Sequence, residues 1–248
     1  MPAVYFSRIL YKIKNKEKMK KYELTSETKV INDVELHRIK ALNSFGNIKE
    51  GDLGGWIESE KNLSQDGNAW VYNNATVCGN AVVFGNSTVR GNATVGENAT
   101  VYGNSTVYGN STVGGNSTVG GNARVYGNAR VGENARVVEN AIVGGNARVG
   151  GNAMVSGNAV VSGNAKVRGK EDFIVFKNWW SSGRYFTWTR SNNKWAVGCF
   201  YGSSEELIAK SYKYSEKSGR EYARVVKYVN DILKEEENDN GNRNKRIG

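Results

Sequence analysis

Between Gly67 and Arg168 a valine stands at every sixth position, with Ala or Ser two positions before it. In an extended segment those two side chains share one face, and the residue between them points the other way. The Asn that precedes the small residue never varies, and the position before it is Gly in 13 of the 17 repeats. Gly-Asn tolerates the backbone of a tight corner. The 102 residues divide into 17 such repeats without an insertion. So short a period predicts a solenoid of stacked short strands, a β-helix, with Val and Ala/Ser inside and the fourth position of each hexad outside.

Outside the repeat the pattern changes. Tyr22–Thr25, Lys29–Ile31 and Val34–Leu42 read as strands, with turns at Asn32-Asp33 and Gly46-Asn47. Ile57 and Leu63 already keep the six-residue spacing, so the first coil begins before the strict repeat does. After Arg168, three strands are predicted at Phe173–Trp179, Arg184–Thr189 and Trp195–Tyr201. Ser203-Ser204-Glu205-Glu206 is a capping box that opens a helix to about Tyr214. A second helix follows Gly219, where Tyr222, Val225, Val226, Val229, Ile232 and Leu233 give a stripe of helical period. The expected divisions are an N-terminal extension over 1–18, a β cap over 19–66, the repeat over 67–168, an α+β domain over 169–235 and a disordered tail over 236–248. Met19 is an equally good start, so residues 1–18 read as an upstream extension.

The hexads resemble the left-handed parallel β-helix of the hexapeptide-repeat acyltransferases, in which three repeats make one triangular coil. That resemblance implies between five and six coils, roughly 27 Å long at about 4.8 Å per strand. Taking every third repeat, the outward positions read Trp70, Thr88, Thr106, Arg124, Ile142, Val160 on one face. A second face reads Thr76, Thr94, Thr112, Arg130, Arg148, Lys166, and the third Val82, Thr100, Thr118, Arg136, Met154. The threonines suit solvent-facing strand sites. The ring of Arg124, Arg130 and Arg136, with Arg148 beyond it, serves either solubility or a binding surface. The segments Leu36-His37-Arg38-Ile39-Lys40-Ala41-Leu42 and Gly51-Asp52-Leu53-Gly54-Gly55-Trp56-Ile57-Glu58 are similar to the lead-in of transferase-like hexapeptide-repeat proteins of bacteria, phages and prophages. The resemblance implies a fold and a phage context, without an activity. It also implies that the flat faces can associate as a trimer.

The net charge of +10 permits an anionic partner. Two cysteines far apart in the chain, Cys78 and Cys199, do not make a disulfide framework and fit a reducing compartment, the cytoplasm of a bacterial host. No apolar run is long enough to span a bilayer, so no membrane role is expected.

Little in the sequence can carry catalysis. The acyltransferases of similar fold use a His base and a loop that interrupts the coils. This chain has one His, His37, outside the repeat, and the repeat has no interruption. No cysteine or histidine cluster has metal-ligand spacing, and no cofactor is expected. The candidate contact surface is instead aromatic and basic. Trp179, Trp180, Arg184, Tyr185, Arg190 and Lys194 lie among further aromatics in 173–201, a combination that can stack bases and track phosphates. The plain alternative is that most of these rings pack the small sheet against its helices. With Phe186 and Trp188 as core, Tyr185, Thr187 and Thr189 fall on the opposite face, and Tyr185 and the Trp179-Trp180 loop are left for a partner. The reading is a non-catalytic binding or scaffold protein of a phage or mobile element. Its β-helix is a rigid spacer, and it contacts nucleic acid or a host nucleoprotein, including a defence complex. The alternatives are an oligomeric structural element and an acyltransferase-like enzyme.

Overall fold

Each hexad folds as a two-residue strand and a four-residue corner, giving the seventeen strands β4 (Trp70–Val71) to β20 (Lys166–Val167). The computed structural model describes residues 20–245, with side chains described to residue 239, so the reading of 1–18 falls outside the described residues. Strands three repeats apart pair in parallel and in register: Val107 lies between Val89 and Val125, and Thr106 between Thr88 and Arg124. The result is a mainly β parallel solenoid of about six turns. Three sheets, of nine, six and five strands, form its sides, the nine-stranded one including three strands of the N-terminal segment. The inward Val of every hexad, and the Ala two positions before it where one stands there, is at most 2% exposed. The corner asparagines hydrogen-bond along columns, from Asn68 Nδ2 to Asn86 Oδ1 (3.2 Å) through to Asn146 Nδ2 and Asn164 Oδ1 (3.2 Å). The corner geometry explains the glycines: Gly115 has φ +62°, and a Cβ there would meet the Glu133 backbone at 2.5 Å.

The ladder has a polarity that the two ends must answer. Each coil donates its N–H groups to carbonyls of the next, as Thr106 N does to Ala123 O (2.9 Å) and Tyr108 N to Val125 O (2.9 Å). The first coil therefore offers bare carbonyls, and the last offers bare N–H groups. An uncovered sheet edge is a hazard for association, and buried backbone groups need partners.

At the N-terminal end the cover supplies donors. Strands β1 (Tyr22–Ile31), β2 (Val34–Ala41) and β3 (Leu53–Ile57) form an antiparallel run, and β3 joins the coil by pairing with Thr76–Val77. Lys21 Nζ donates to Ala69 O (2.9 Å), while Asn62 Nδ2 donates to Gly79 O (3.0 Å) and Ala81 O (2.9 Å). Trp70 fills the space behind them, edge-on to Tyr22 and Phe45.

Burial lowers the Lys21 pKa to about 8, against the opposing pull of Asp66. The unfolded chain holds that proton up to about pH 10.4. Below pH 8 both states are charged, and the cost of burying the ammonium is fully present. That cost is relieved as pH rises from about 8 toward 10.4, so this group makes stability rise with pH there. Lys21→Gln, which keeps a donor but does not titrate, should remove that rise from denaturant midpoints measured at pH 7.5 and 9.5. An unchanged difference between the two midpoints would refute the assignment.

At the other end the cover supplies acceptors. It is a four-stranded antiparallel sheet, β21 (Phe173–Lys177), β22 (Tyr185–Thr189), β23 (Lys194–Val197) and β24 (Phe200–Gly202), backed by helices α1 (Ser204–Tyr212) and α2 (Glu216–Lys245). Thr187 Oγ1 accepts from Val160 N (2.8 Å), Ser191 Oγ from Lys166 N (2.6 Å), and the Asp172 carboxylate from Arg168 N (2.5 Å).

Three expectations are corrected here. The third predicted strand is two, because Gly198 turns the chain at φ +57° between β23 and β24. The second helix starts before Gly219 and takes it in, with Ser215 Oγ accepting from Ser218 N (3.1 Å); Gly219 is buried, and a Cβ there would meet the Tyr212 ring of α1 at 2.3 Å. The helix also runs on to Lys245, where a disordered tail was expected from 236. Lys234, Glu235, Glu236 and Glu237 are good helix formers, and Glu236 is tied to Arg190 at 2.8 Å.

Candidate functional site

The outward residues differ by corner, and the difference carves a groove. On two corners the sixth position of the hexad holds bulk. Tyr108 and Tyr126 stack at 5.3 Å with Arg90 over Tyr108 at 4.8 Å, and Phe84 stacks on Tyr102 at 5.6 Å. On the third corner the same position reads Gly96, Gly114, Gly132 and Gly150 in successive coils, leaving bare backbone. Beside this glycine floor runs the outward column of the nine-stranded sheet, Thr112, Arg130, Arg148 and Lys166. Glu97 and Glu133 line the far side, and Arg168 stands at the C-terminal end. The groove has a volume of about 620 Å³.

Its electrostatics are uneven. Arg130, Arg148 and Lys166 sit directly opposite one another on neighbouring strands and are exposed. Like charges in that relation are mutually destabilising, by about 1 kcal/mol or less per pair in water. Each acid is already engaged. Glu97 and Glu133 accept from the backbone N–H groups of Gly115 and Gly151 one coil on, and Glu133 also pairs with Arg168 at 2.9 Å. Both glutamates adopt positive φ, 56° and 54°, where Gly is the common residue. The cationic row is thus left facing solvent.

The structure spreads the sequence-predicted residues over several surfaces. Arg130 and Arg148 lie in the groove, but Arg124 belongs to the six-stranded face, between Thr106 and Ile142, and Arg136 to the five-stranded face, between Thr118 and Met154. In the terminal domain, Phe186, Trp188 and Trp195 are core, joined by Val226 and Val229 of α2. Thr187 and Thr189, on the opposite face of β22, are 1% and 3% exposed. Thr187 meets the solenoid end there, so that face is largely taken by the last coil. Arg190 bonds to Glu236 and to the Glu171 carbonyl (3.0 Å), and Lys194 is half-buried. Trp180 packs edge-on against Tyr222, while Trp179 is 82% exposed and Tyr185 half-buried, with Lys177 Nζ 5.9 Å from its ring. The Trp179–Tyr185 loop lies at the start of β22, and Ser191, which touches Lys166, lies past its end. The exposed aromatics and the cationic row are therefore separate surfaces.

Two groove residues, Lys166 and Arg168, were not singled out as contacts in the sequence. The eighteen-residue period held the signal. It puts Lys166 in the column of Arg130 and Arg148, and Arg168 at the end of the glycine column. His37 lies in the N-terminal cover, on β2 opposite Thr28 and Ile57, and does not line the groove. Among the described residues no group of three or more His, Cys, Asp or Glu is placed to hold a metal, and no helix is long and apolar enough to cross a membrane.

Comparison with known proteins agrees with this architecture. The model of the YdcK beta solenoid repeat matches residues 119–133 and 147–167. A protein of Escherichia coli (strain K12), described as the uncharacterized acetyltransferase YdcK, is 35% identical over 63 residues. That match takes in 22% of this chain and 19% of the relative, so the chain spans about a fifth of the curated relative's length. Over those segments the chain is similar to that solenoid repeat, in keeping with the stacked six-residue repeats described above.

Proposed function

We propose that this protein is a non-catalytic binding scaffold whose solenoid presents the groove to a polyanion, with nucleic acid, free or in a host nucleoprotein, as the partner. The observation that carries the reading is the in-register row Arg130, Arg148, Lys166, three exposed cations on adjacent strands with their nearest acids already engaged. A polyanion laid along the row converts their mutual repulsion into attraction and releases its own counterions. The glycine floor lets a chain approach the backbone closely, and the stacked coils keep the row rigid.

The test is fluorescence anisotropy with single- and double-stranded oligonucleotides across a salt series. With three or four phosphates neutralised, log K should fall against log salt with a slope of roughly −2 to −3.5. Arg130→Ala/Arg148→Ala/Lys166→Ala, all exposed positions, should fold normally, weaken binding and flatten the slope by about two to three. No binding at low salt, or a triple variant that binds like the parent, would remove the reading.

A second reading, acyl transfer, is favoured by the printed name of the Escherichia coli relative. It predicts release of free thiol from acyl-coenzyme A on addition of an amine or hydroxyl acceptor. A rate that the groove variant leaves intact but His37→Ala abolishes would make it the better account.

A further inference from the structure

Away from the groove, the terminal domain contains a second cleft whose lining points to a different kind of ligand. Two cavities, of about 240 and 310 Å³, adjoin where β22 begins and share Arg184, Ser211, Tyr214 and Tyr222. The inner one has an apolar floor of Val197, Phe200 and Leu207. The outer one is rimmed by serines, Ser181 and Ser182 from the loop before β22, Ser215 just ahead of α2 and Ser218 in its first turn. Together the two fall in the size range of small-molecule sites, with an apolar body and a few polar groups that fix orientation.

The charge of the lining is one-sided. Arg184 borders both cavities and Lys210 the inner one, and neither is lined by a carboxylate. Arg184 is exposed and forms no ion pair among the described residues. By contrast Arg190, six residues on, is held by Glu236. Arg184 stacks its stem against Gly198, where a Cβ would lie 3.4 Å from Cδ, so the guanidinium is placed at the mouth by a residue that leaves it room. Several hydroxyls stand by. Ser181 and Ser182 lie 2.8 and 3.5 Å from the Asn178 amide, whose N–H groups they accept, leaving their own O–H groups to donate. Tyr214, which is exposed, and Tyr222, packed edge-on against Trp180 and Phe186, stand between the apolar floor and this polar rim.

We propose that this cleft binds a small anion joined to a flat aromatic ring, the ring face against Phe200, Leu207 and the tyrosines and the anion against Arg184 and the serine hydroxyls. A nucleoside monophosphate has this chemistry and serves as the probe. A guanidinium suits a phosphate because its fork of donors matches two oxygens at once. The inference does not rest on the groove reading, since the two sites share no residue.

Cys199 lines the inner cavity and is exposed, so its alkylation reports on occupancy. The other thiol does not interfere, because burial, then Glu58 and Glu97, raise the Cys78 pKa and slow its reaction. The whole chain is treated with a thiol reagent in the presence of adenosine monophosphate, adenosine or inorganic phosphate, each at millimolar concentration. The monophosphate should slow the fast thiol at least about fivefold, and adenosine or phosphate alone less than about twofold. Arg184→Ala should melt like the parent and lose the protection. The monophosphate should also raise the melting temperature of the parent and of Cys199→Ser, but not of Arg184→Ala. Absence of protection by the monophosphate, equal protection by adenosine or by phosphate, or full protection in Arg184→Ala would each overturn the proposal.

Discussion

Val107→Asp should cost most or all of the folding stability, and Thr106→Asp, one residue earlier, about 1 kcal/mol or less. Val107 is 0% exposed and stacked between Val89 and Val125, themselves fully buried. A carboxylate placed there would stand among buried valines and serines, with the Ser105 and Ser111 hydroxyls already donating to the Tyr102 and Tyr108 carbonyls. An uncompensated buried charge costs several kcal/mol even after its pKa has shifted, against a total of roughly 5–15 kcal/mol for a typical domain. Because each coil touches only its neighbours, a break in the middle coil separates the two halves of the solenoid. Thr106 faces outward and is half-buried; its loss removes one hydroxyl contact, Thr88 Oγ1 to Thr106 Oγ1 at 3.3 Å. An aspartate there would stand opposite Arg124 on the next strand, a favourable cross-strand pair. Thermal melts followed by circular dichroism decide the matter. Comparable losses in the two variants would show that the assignment of inner and outer faces is wrong.

The second large effect is expected in the terminal cover. Trp195 is 0% exposed, donates Nε1–H to Ser204 Oγ at 3.0 Å, and meets Phe186 edge-on at 6.4 Å. Trp195→Ala should destabilise the domain by roughly 3–5 kcal/mol. The consequence should reach the solenoid as well. Once the domain opens, Val160, Lys166 and Arg168 lose the acceptors of Thr187, Ser191 and Asp172, and the last coil becomes an unpaired edge. Denaturant titration should show an early transition in the variant, accompanied by a rise in mass by light scattering. Trp179→Ala, at an exposed site of the same loop-and-sheet region, should stay within about 0.5 kcal/mol of the parent. A Trp195→Ala protein that unfolds in one step at the parent's midpoint, without association, would refute the capping role.

The reason the two tryptophans differ could not be read from composition. Both lie in an aromatic and basic stretch that looks uniform along the chain. Only the folded sheet separates Trp179 in a loop from Trp195 on a strand between helices and solenoid. The same holds for the arginines. Arg124, Arg130, Arg136 and Arg148 form a series in sequence, but a triangular coil distributes successive hexads over three faces. The eighteen-residue period was enough to assign each to its face. It was not enough to show that the glycine corner beside Arg130 and Arg148 is open, because an open corner depends on what the neighbouring coils place there.

The repeat itself was legible because its interactions are local and periodic. A Val and a small residue two apart determine which side is buried, Gly-Asn determines the corner, and in-register stacking brings identical residues together, so the Asn columns follow from the spacing. The capping box at Ser203 was equally local. The ends were decided by tertiary structure alone. A parallel ladder is polar, so one end needs donors and the other acceptors, and nothing near Lys21, Asn62, Thr187 or Ser191 in sequence marks them for that work. Their partners lie 17–48 residues away. The turn at Gly198, the inclusion of Gly219 in its helix and the cleft at Arg184 depend in the same way on packing between elements, which a local pattern of polar and apolar residues does not encode.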